Sequence, residues 1–327
     1  MLRATILGTG VYLPKKRLTN DDLAQRINVD DEWIKTRSGI SERCIAAQDE
    51  ASSDLGYQAA QQALERSQLK ANEIELVIAA TMTPDMLCPA TACLVQHKLG
   101  IPQAATFDLS AACTGFIYAL ATGAQFIATG LYKHILVVGV DLLSRFTNYE
   151  DRDTCILFGD GAGAAILGPA QNDAGFLAYD LGGDGQYGDI LQVPAGGSKL
   201  PASAATVHNA QHFIKMNGAA TFRVAVRALS TSLETALGRA GLKGEDLSLL
   251  VPHQANLRII EYAAKRLQLP LERVALNINK YGNMSSASVP VALDEALTQG
   301  KIKSGDLVAL TGFGGGMTWG TIIMRWS

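Results

Sequence analysis

The chain has 327 residues, 48% of them hydrophobic and 18% charged, and a net charge of −3. That length holds two domains or one large pseudo-symmetric unit with ample core, and the composition excludes a disordered chain. The small negative charge excludes a general nucleic-acid or membrane-surface role and leaves open only a local basic patch.

The first residues run directly into a strand, without the pattern of a signal or transit peptide. Gly8-Thr9-Gly10 is a lone G-x-G without the third glycine of a dinucleotide fingerprint. The spacing predicts a short helix over 21–27, an acidic helix start at Asp30-Asp31-Glu32-Trp33-Ile34, and a helix over 52–67 capped by Ser52 or Ser53. An apolar strand follows over 74–81, then a loop over 84–89, a helix over 91–99 and a strand over 104–109. That strand leads into Leu109-Ser110-Ala111-Ala112-Cys113-Thr114-Gly115-Phe116 and an uncharged helix over 114–130. A cysteine among small residues where a strand turns into a helix is placed as a nucleophile. The unpaired N–H groups and the dipole there favour thiolate over thiol. A buried structural cysteine is the bland alternative. Residues 109–132 carry no charge and are long enough to span a bilayer. Their serine, threonines and glycines read instead as a helix buried on all sides of a large core.

A fully apolar strand over 135–140 and a charged loop over 148–153 come next. Gly159, Gly161 and Gly163 precede strand-like rather than helical residues. They therefore read as close backbone packing, not as a phosphate loop. From here the pattern repeats. A long helix over 216–240, a strand over 247–251, a helix over 257–267 and a short strand over 274–276 lead to the small-residue run at Asn283–Ser288. That run opens a helix to residue 299, as the Cys113 run does in the first half. A strand over 307–310 and the glycine run Gly314-Gly315-Gly316 close the second half. The duplication implies two α/β halves, 1–170 and 171–327, whose sheets and buried helices form layers. The segment 168–211 reads as their junction, with a loop excursion.

The five cysteines include no C-x-x-C pair, which fits a reducing compartment. His208 and His212 are spaced to share a helical face, but further ligands are not near, so no metal site is expected. The duplication puts Cys113, His253 and Asn283 at the ends of core elements. A thiolate, an imidazole and an amide suit acyl transfer with stabilisation of an oxyanion.

Six stretches resemble the β-ketoacyl-acyl-carrier-protein synthase III family: Asp31-Glu32-Trp33-Ile34, Ala111–Phe116, Phe158–Gly163, Pro252-His253-Gln254-Ala255-Asn256, Tyr281-Gly282-Asn283 and Gly312–Gly316. The resemblance spans essentially the whole chain in order. It implies an α/β thiolase fold with two pseudo-symmetric halves in αβαβα layers, a homodimer, and the first condensation of type II fatty-acid synthesis. By resemblance, a short acyl-CoA loads Cys113, and malonyl-acyl-carrier protein then condenses with the acyl group. Cys113, His253 and Asn283 are the implied catalytic residues. The N–H groups of Cys113 and Gly315 are the implied oxyanion hole. Trp33, Arg37 and Arg152 would hold the CoA nucleotide, and Gly218, Phe222 and Asn256 the pantetheine channel. Arg223, Arg258 and Lys265 would dock the acyl carrier protein, and Cys88 and Leu157 would bound the acyl pocket. No cofactor is implied, and the expected location is bacterial cytoplasm or plastid stroma. Two positions depart from relatives: Val29 lacks the hydroxyl often found near the adenine, and Cys88 replaces a larger residue that reaches the partner subunit's pocket. Rival readings are a condensing enzyme of secondary metabolism, a thiolase, a catalytically dead scaffold and a dinucleotide-binding oxidoreductase. A thiolase needs a second cysteine near the C-terminal glycines, and none follows Cys155. The incomplete glycine fingerprint counts against the oxidoreductase.

Overall fold

The computed structural model describes residues 2–327. In chain order, β1 (Ala4–Tyr12) and β2 (Lys16–Thr19) precede helices α1 (Asn20–Ala24) and α2 (Asp31–Ser38). Then follow β3 (Glu42–Ile45), α3 (Ser52–Ser67), β4 (Leu76–Ala80), α4 (Thr91–Lys98), β5 (Ala105–Leu109), α5 (Gly115–Ala128), β6 (Ile135–Leu142) and β7 (Asp160–Pro169). The second half holds β8 (Gly175–Gly183), β9 (Leu191–Gln192), α6 (Ala204–His208), β10 (Lys215–Met216), α7 (Gly218–Ala240), β11 (Leu249–Pro252), α8 (Leu257–Arg266), α9 (Ile278–Tyr281), α10 (Ser288–Thr298), β12 (Leu307–Gly314) and β13 (Thr318–Arg325).

Two sheets carry the architecture. The first has strand order β1-β7-β6-β4-β5 and the second β11-β12-β13-β8. The uncharged helix α5 packs on strands of both sheets, and α10 lies beside it. Phe116, Ile117, Leu120 and Ile127 of α5 are almost fully removed from water in the core between the sheets. Only one narrow stripe, through Tyr118, Thr122 and the exposed Gln125, reaches solvent, so the helix is nearly but not wholly enclosed; uncharged polar side chains suffice there, which is why this stretch reads like a membrane span without being one. Its length of 14 residues is short for a bilayer. Among the described residues, no helix is long and apolar enough to cross a membrane. Helices α3 and α4 cover the outer face of the first sheet, and α7 and α8 that of the second. The result is five layers, αβαβα.

Gly159, Gly161 and Gly163 do serve close packing. A Cβ on Gly161 would stand 2.6 Å from the Met284 sulfur, and one on Gly163 2.7 Å from Pro290. Bare strand β7 thus lets the segment leading into α10 press against it.

Four expectations are corrected. Helix α3 has Ala51, not a serine, at its N-cap. Ser52 donates instead to the Thr83 carbonyl at 2.5 Å, and Asp85 accepts from the Ser53 N–H and hydroxyl. The incoming carboxylate satisfies the helix end and ties it to the 81–90 loop. Residues 274–276 form only a single bridge, Val274 to Leu250. The bridge lies where β5 lies in the first half, so the duplication is truncated at this edge. Residues 168–211 contain more than a loop: β8 is a nine-residue strand on the outer edge of the second sheet. Its Asp180, its partly exposed C-terminal end and its terminal glycines obscure the apolar run that marks its neighbours. The long helix begins at Gly218, because Asn217 caps it through the Ala220 N–H.

Candidate active site

Cys113 sits in a 3-10 turn, Ala112–Thr114, at the foot of α5. Ala112 before it has φ +46, a left-handed conformation that non-glycine residues rarely adopt. Such strain at a strand-to-helix turn persists only where packing over-determines it. Gly314, the last residue of β12, lies against the Cys113 backbone. A Cβ there would be 2.7 Å from the Cys113 nitrogen and 3.2 Å from its Cβ.

Burial pushes the Cys113 thiol up to about 12 from an ordinary 9.0; the nearby Asp141 charge also raises it, and Ser285 lowers it. A helix N-terminus contributes up to about 2 kcal/mol, roughly one and a half pKa units. Dehydration therefore wins, and the resting sulfur is a thiol. Burial thus works against the expected thiolate.

His253 follows β11 directly, and its N–H donates to the Thr311 carbonyl at 2.7 Å. Its ring packs edge-on to Phe313 at 5.7 Å between centroids. The side chain is buried, and neither ring nitrogen has a hydrogen-bond partner in the protein. Burial drops it to about 3, so the imidazole is neutral. Gln254 beside it is fully buried; it donates to the Pro252 and Ala275 carbonyls and accepts from the Asn277 and Ile278 N–H groups. That network fixes the turn carrying the histidine.

Asn283 follows Gly282, whose φ of +67 and ψ of −158 suit glycine alone. Its N–H donates to the Leu157 carbonyl, and its own carbonyl accepts from the Gly159 N–H. Its side-chain oxygen accepts from the Ser285 N–H at 2.9 Å, which turns the amide NH₂ toward the cavity.

Cys113, His253 and Asn283 line one cavity of about 750 Å³, together with Leu157, Phe313 and Gly314. Trp33, Arg37, Gly218, Phe222, Asn256 and Arg258 stand along the same cavity. The Arg37 guanidinium lies 4.1 Å and that of Arg152 5.5 Å from the Trp33 ring centre. Arg258 lies over Phe222 at 5.3 Å. The Asn256 side chain caps α8 through the Arg258 N–H and donates to the Arg37 carbonyl. It therefore joins the two rims and does not hang free in the channel. Arg223, Arg258 and Lys265 are exposed on α7 and α8. Gly315 is next to Gly314 in the turn before β13 and faces the Leu191 carbonyl. Cys88 is exposed in the 81–90 loop and is not among the residues lining this cavity. Val29 packs with Trp33 in an apolar cluster. Among the described residues no group of three metal-binding side chains occurs, and His212 instead contacts the Thr206 hydroxyl at 2.9 Å.

Sequence reasoning misses three contributors. Arg43 is fully buried and donates to the Leu18 and Ile156 carbonyls and the Asn20 side chain, holding the wall next to Leu157. Asp141 and Ser285 lie behind Cys113. A lone acid at the end of the apolar strand over 135–140 is the signal that was available for Asp141.

Two family profiles match the chain: 3-oxoacyl-(acyl-carrier-protein) synthase III over residues 107–185, and the C-terminal part of the same enzyme over 237–326. A β-ketoacyl-(acyl-carrier-protein) synthase III of Desulfitobacterium hafniense is 54% identical over 327 residues, covering 100% of this chain and 99% of the relative. The crystal structure of 3-oxoacyl-(acyl-carrier-protein) synthase III from Aquifex aeolicus superposes with a TM-score of 0.92 at 44% identity, covering 99% of this chain and 100% of that one. The priming β-ketosynthase of the R1128 polyketide pathway superposes at 0.93 with 35% identity, covering 99% and 97%. With its thiolase fold, the chain belongs to the β-ketoacyl-acyl-carrier-protein synthase III family of condensing acyltransferases.

Proposed function

We propose that this protein condenses a short acyl-CoA with malonyl-acyl-carrier protein to give a 3-ketoacyl-carrier product, at a site made by Cys113, His253 and Asn283. The observation that carries this reading is that one cavity gathers a buried thiol and two neutral donors without protein partners. Cys113 attacks the acyl-CoA thioester, and the oxyanion is received by the N–H groups of Cys113 and Gly315. CoA leaves and malonyl-carrier enters. Negative charge then gathers on its thioester oxygen as carbon dioxide departs. A neutral imidazole and an amide NH₂ donate to that oxygen. The carbanion attacks the acyl-enzyme and frees the sulfur. Two half-reactions on one sulfur give ping-pong kinetics and require no cofactor.

Trp33 and Arg152 sandwich the CoA adenine, and Arg37 meets the phosphates. A base between Trp33 and Arg152 needs two contact separations of about 3.5 Å. Arg152 must therefore swing outward from its 5.5 Å position. Its one ion pair among the described residues, with Asp153, is loose at 3.9 Å, so the swing breaks no tight contact. Gly218, Phe222 and Asn256 line the pantetheine channel, while Arg223, Arg258 and Lys265 receive the acidic carrier at its mouth. Leu157 bounds the acyl pocket from its own chain.

The protein works as a homodimer. Strand β5 is the free edge of the first sheet, with Phe107 and Leu109 half-buried along it. The adjacent loop exposes Met86, Leu87 and Cys88, and Leu87 is 93% exposed. A two-fold pairing of β5 covers edge and loop together and brings Cys88 toward the partner's pocket. The two halves divide near residue 170. Five free cysteines and bacterial relatives support a bacterial cytoplasmic location.

Intact-mass spectrometry after incubation with a panel of acyl-CoAs tests the reading. The protein gains one acyl mass and Cys113→Ala gains none; equal loading of Cys113→Ala would sink the assignment. The acyl chain that loads best identifies the primer. Arg258→Glu is expected to raise the KM for malonyl-carrier several-fold with acyl loading intact, and unchanged carrier kinetics remove that role.

A further inference from the structure

Behind Cys113 lies a polar cluster that the condensation as written does not use. Asp141, the penultimate residue of β6, is fully buried. It accepts from the Met82 N–H at 2.8 Å, the Ser286 N–H at 3.0 Å, the Ser286 hydroxyl at 2.8 Å, and the Thr81 and Thr83 hydroxyls at 3.2 Å each. Between this carboxyl and the thiol stands Ser285. Its hydroxyl lies against both the Cys113 sulfur and the Asp141 carboxyl. Yet the oxygen is fully buried and completes a well-aligned hydrogen bond to neither. Ser285 is also held at φ +48. A buried hydroxyl without a settled partner costs stability of order 1–3 kcal/mol. A strained backbone that holds it between two acids is therefore an arrangement with a purpose to account for.

We infer that Ser285 passes the Cys113 proton to Asp141 during acyl loading and returns it when the sulfur is released. This rests on the reading of Cys113 as the nucleophile. In the first half-reaction the Sγ–H bond breaks as Sγ bonds to the acyl carbon. The Ser285 oxygen takes that proton while giving its own to Asp141. The C–S bond to CoA breaks, and the CoA thiolate collects a proton from solvent. In the second half-reaction the malonyl carboxylate leaves as carbon dioxide and its electron pair attacks the acyl carbon. The Cys113 C–S bond breaks, and the sulfur takes back the stored proton through Ser285. Charge and protons balance in each half. Burial raises Asp141 above the usual carboxylate range, which suits a group that must carry a proton in the acyl-enzyme.

The other groups around the thiol do not replace this route. His253 is neutral and is reserved for the malonyl oxygen. The C-terminal hairpin packed on the Cys113 turn presents Gly314 and Thr318. Helix α5 contributes Tyr118, whose hydroxyl donates to the Gly182 carbonyl. Ser285 is thus a positioning and relay residue in contact with the reacting sulfur.

The experiment is proton uptake during stoichiometric acyl loading of the full-length protein, read with an indicator dye in weak buffer near pH 7.5. A proton stored on Asp141 makes loading consume about one proton from solvent per acyl-enzyme, because the CoA thiolate draws on bulk. Direct transfer from Cys113 to CoA consumes none. Loading confirmed by mass without proton uptake overturns the relay and leaves the nucleophile standing. No loading at all overturns both. Ser285→Ala and Ser285→Gly are expected to load at least tenfold more slowly and with uptake near zero. Alanine already occupies the same left-handed position at residue 112, and glycine relieves any strain. Wild-type rates and uptake in both variants count against the relay.

Discussion

The turn that carries Cys113 has a twin. Ala112–Thr114 leads into α5, and Ser285–Ala287 leads into α10, each as a three-residue 3-10 turn. The first residue of each is left-handed, φ +46 and +48. Cys113 and Ser286 therefore hold the same place in the two halves. What meets their N–H groups differs. The Ser286 N–H points to the Asp141 carboxylate at 3.0 Å, near the end of the central strand β6. The Cys113 N–H instead faces Gly314, at the end of β12, where no side chain exists. One backbone geometry thus makes an anion site twice. In the second half an internal carboxylate fills it, so no substrate oxyanion can use it. In the first half glycine leaves it open, and a developing oxyanion can use it.

The comparison breaks first at Gly314. A methyl group there would stand 2.7 Å from the Cys113 nitrogen, a backbone atom that cannot swing aside. Gly314→Ala is expected to lower the acyl-loading rate by about 10²–10³-fold, the usual cost of losing one oxyanion donor. The thermal midpoint should move far less than the rate. Stopped-flow or quenched loading with an acyl-CoA checks it, and a loading rate within threefold of wild type would mean that the open site has no catalytic use.

The filled twin should respond in the opposite sense. Ser286→Ala removes a hydroxyl that bonds Asp141 at 2.8 Å and the Ala80 carbonyl at 2.9 Å. Losing a buried bond to a charged group costs about 1.5–3 kcal/mol. Denaturant unfolding should show that loss while most acyl loading is kept. Cys113→Ala should do the reverse, abolishing loading with little change in stability. If Ser286→Ala stopped loading outright without destabilising the fold, the division into an open and a filled anion site would fail.

Much of this was legible before the coordinates. The apolar strands 4, 6, 11 and 12 and the uncharged helix α5 are strong periodic signals, and the three polar residues at element ends do meet in one cavity. The duplication was readable because each small-residue run opens a buried helix. What escaped lies where local pattern and tertiary role part company. Strand β8 is an edge strand, and Asp180 and three glycines interrupt its apolar residues. The caps of α3 come from Asp85, more than thirty residues downstream, so serine content near the helix start misleads. Ser285 sits in a run of small residues that promises close packing. Its position between two acids exists only once β6 and the second half fold together. The thiolate expectation erred on magnitude: helix position was visible in sequence, whereas full dehydration of the sulfur was not.

The smallest expected effect concerns His253, which has no counterpart role in the first half, where Ala80 ends the matching strand β4. Its folded value of about 3 lies below the ordinary 6.5. The unfolded chain therefore binds the extra proton between those limits. Stability from burying the neutral ring is complete above pH 6.5 and falls as pH drops toward 3, by at most about 1.4 kcal/mol per pH unit. Asp141, raised by burial, acts with the opposite sign, because its protonation favours the folded state on the acid side. Replacing His253 with Asn isolates the imidazole: unfolding midpoints between pH 4.5 and 7.5 should fall less steeply for His253→Asn than for wild type. Over pH 5.5–8, malonyl-carrier decarboxylation by Cys113→Ala should show no inflection near 6.5, since the imidazole stays neutral throughout. An inflection there would mean that His253 gains a proton in the working site and donates as a cation, and its burial would then have to be relieved by substrate.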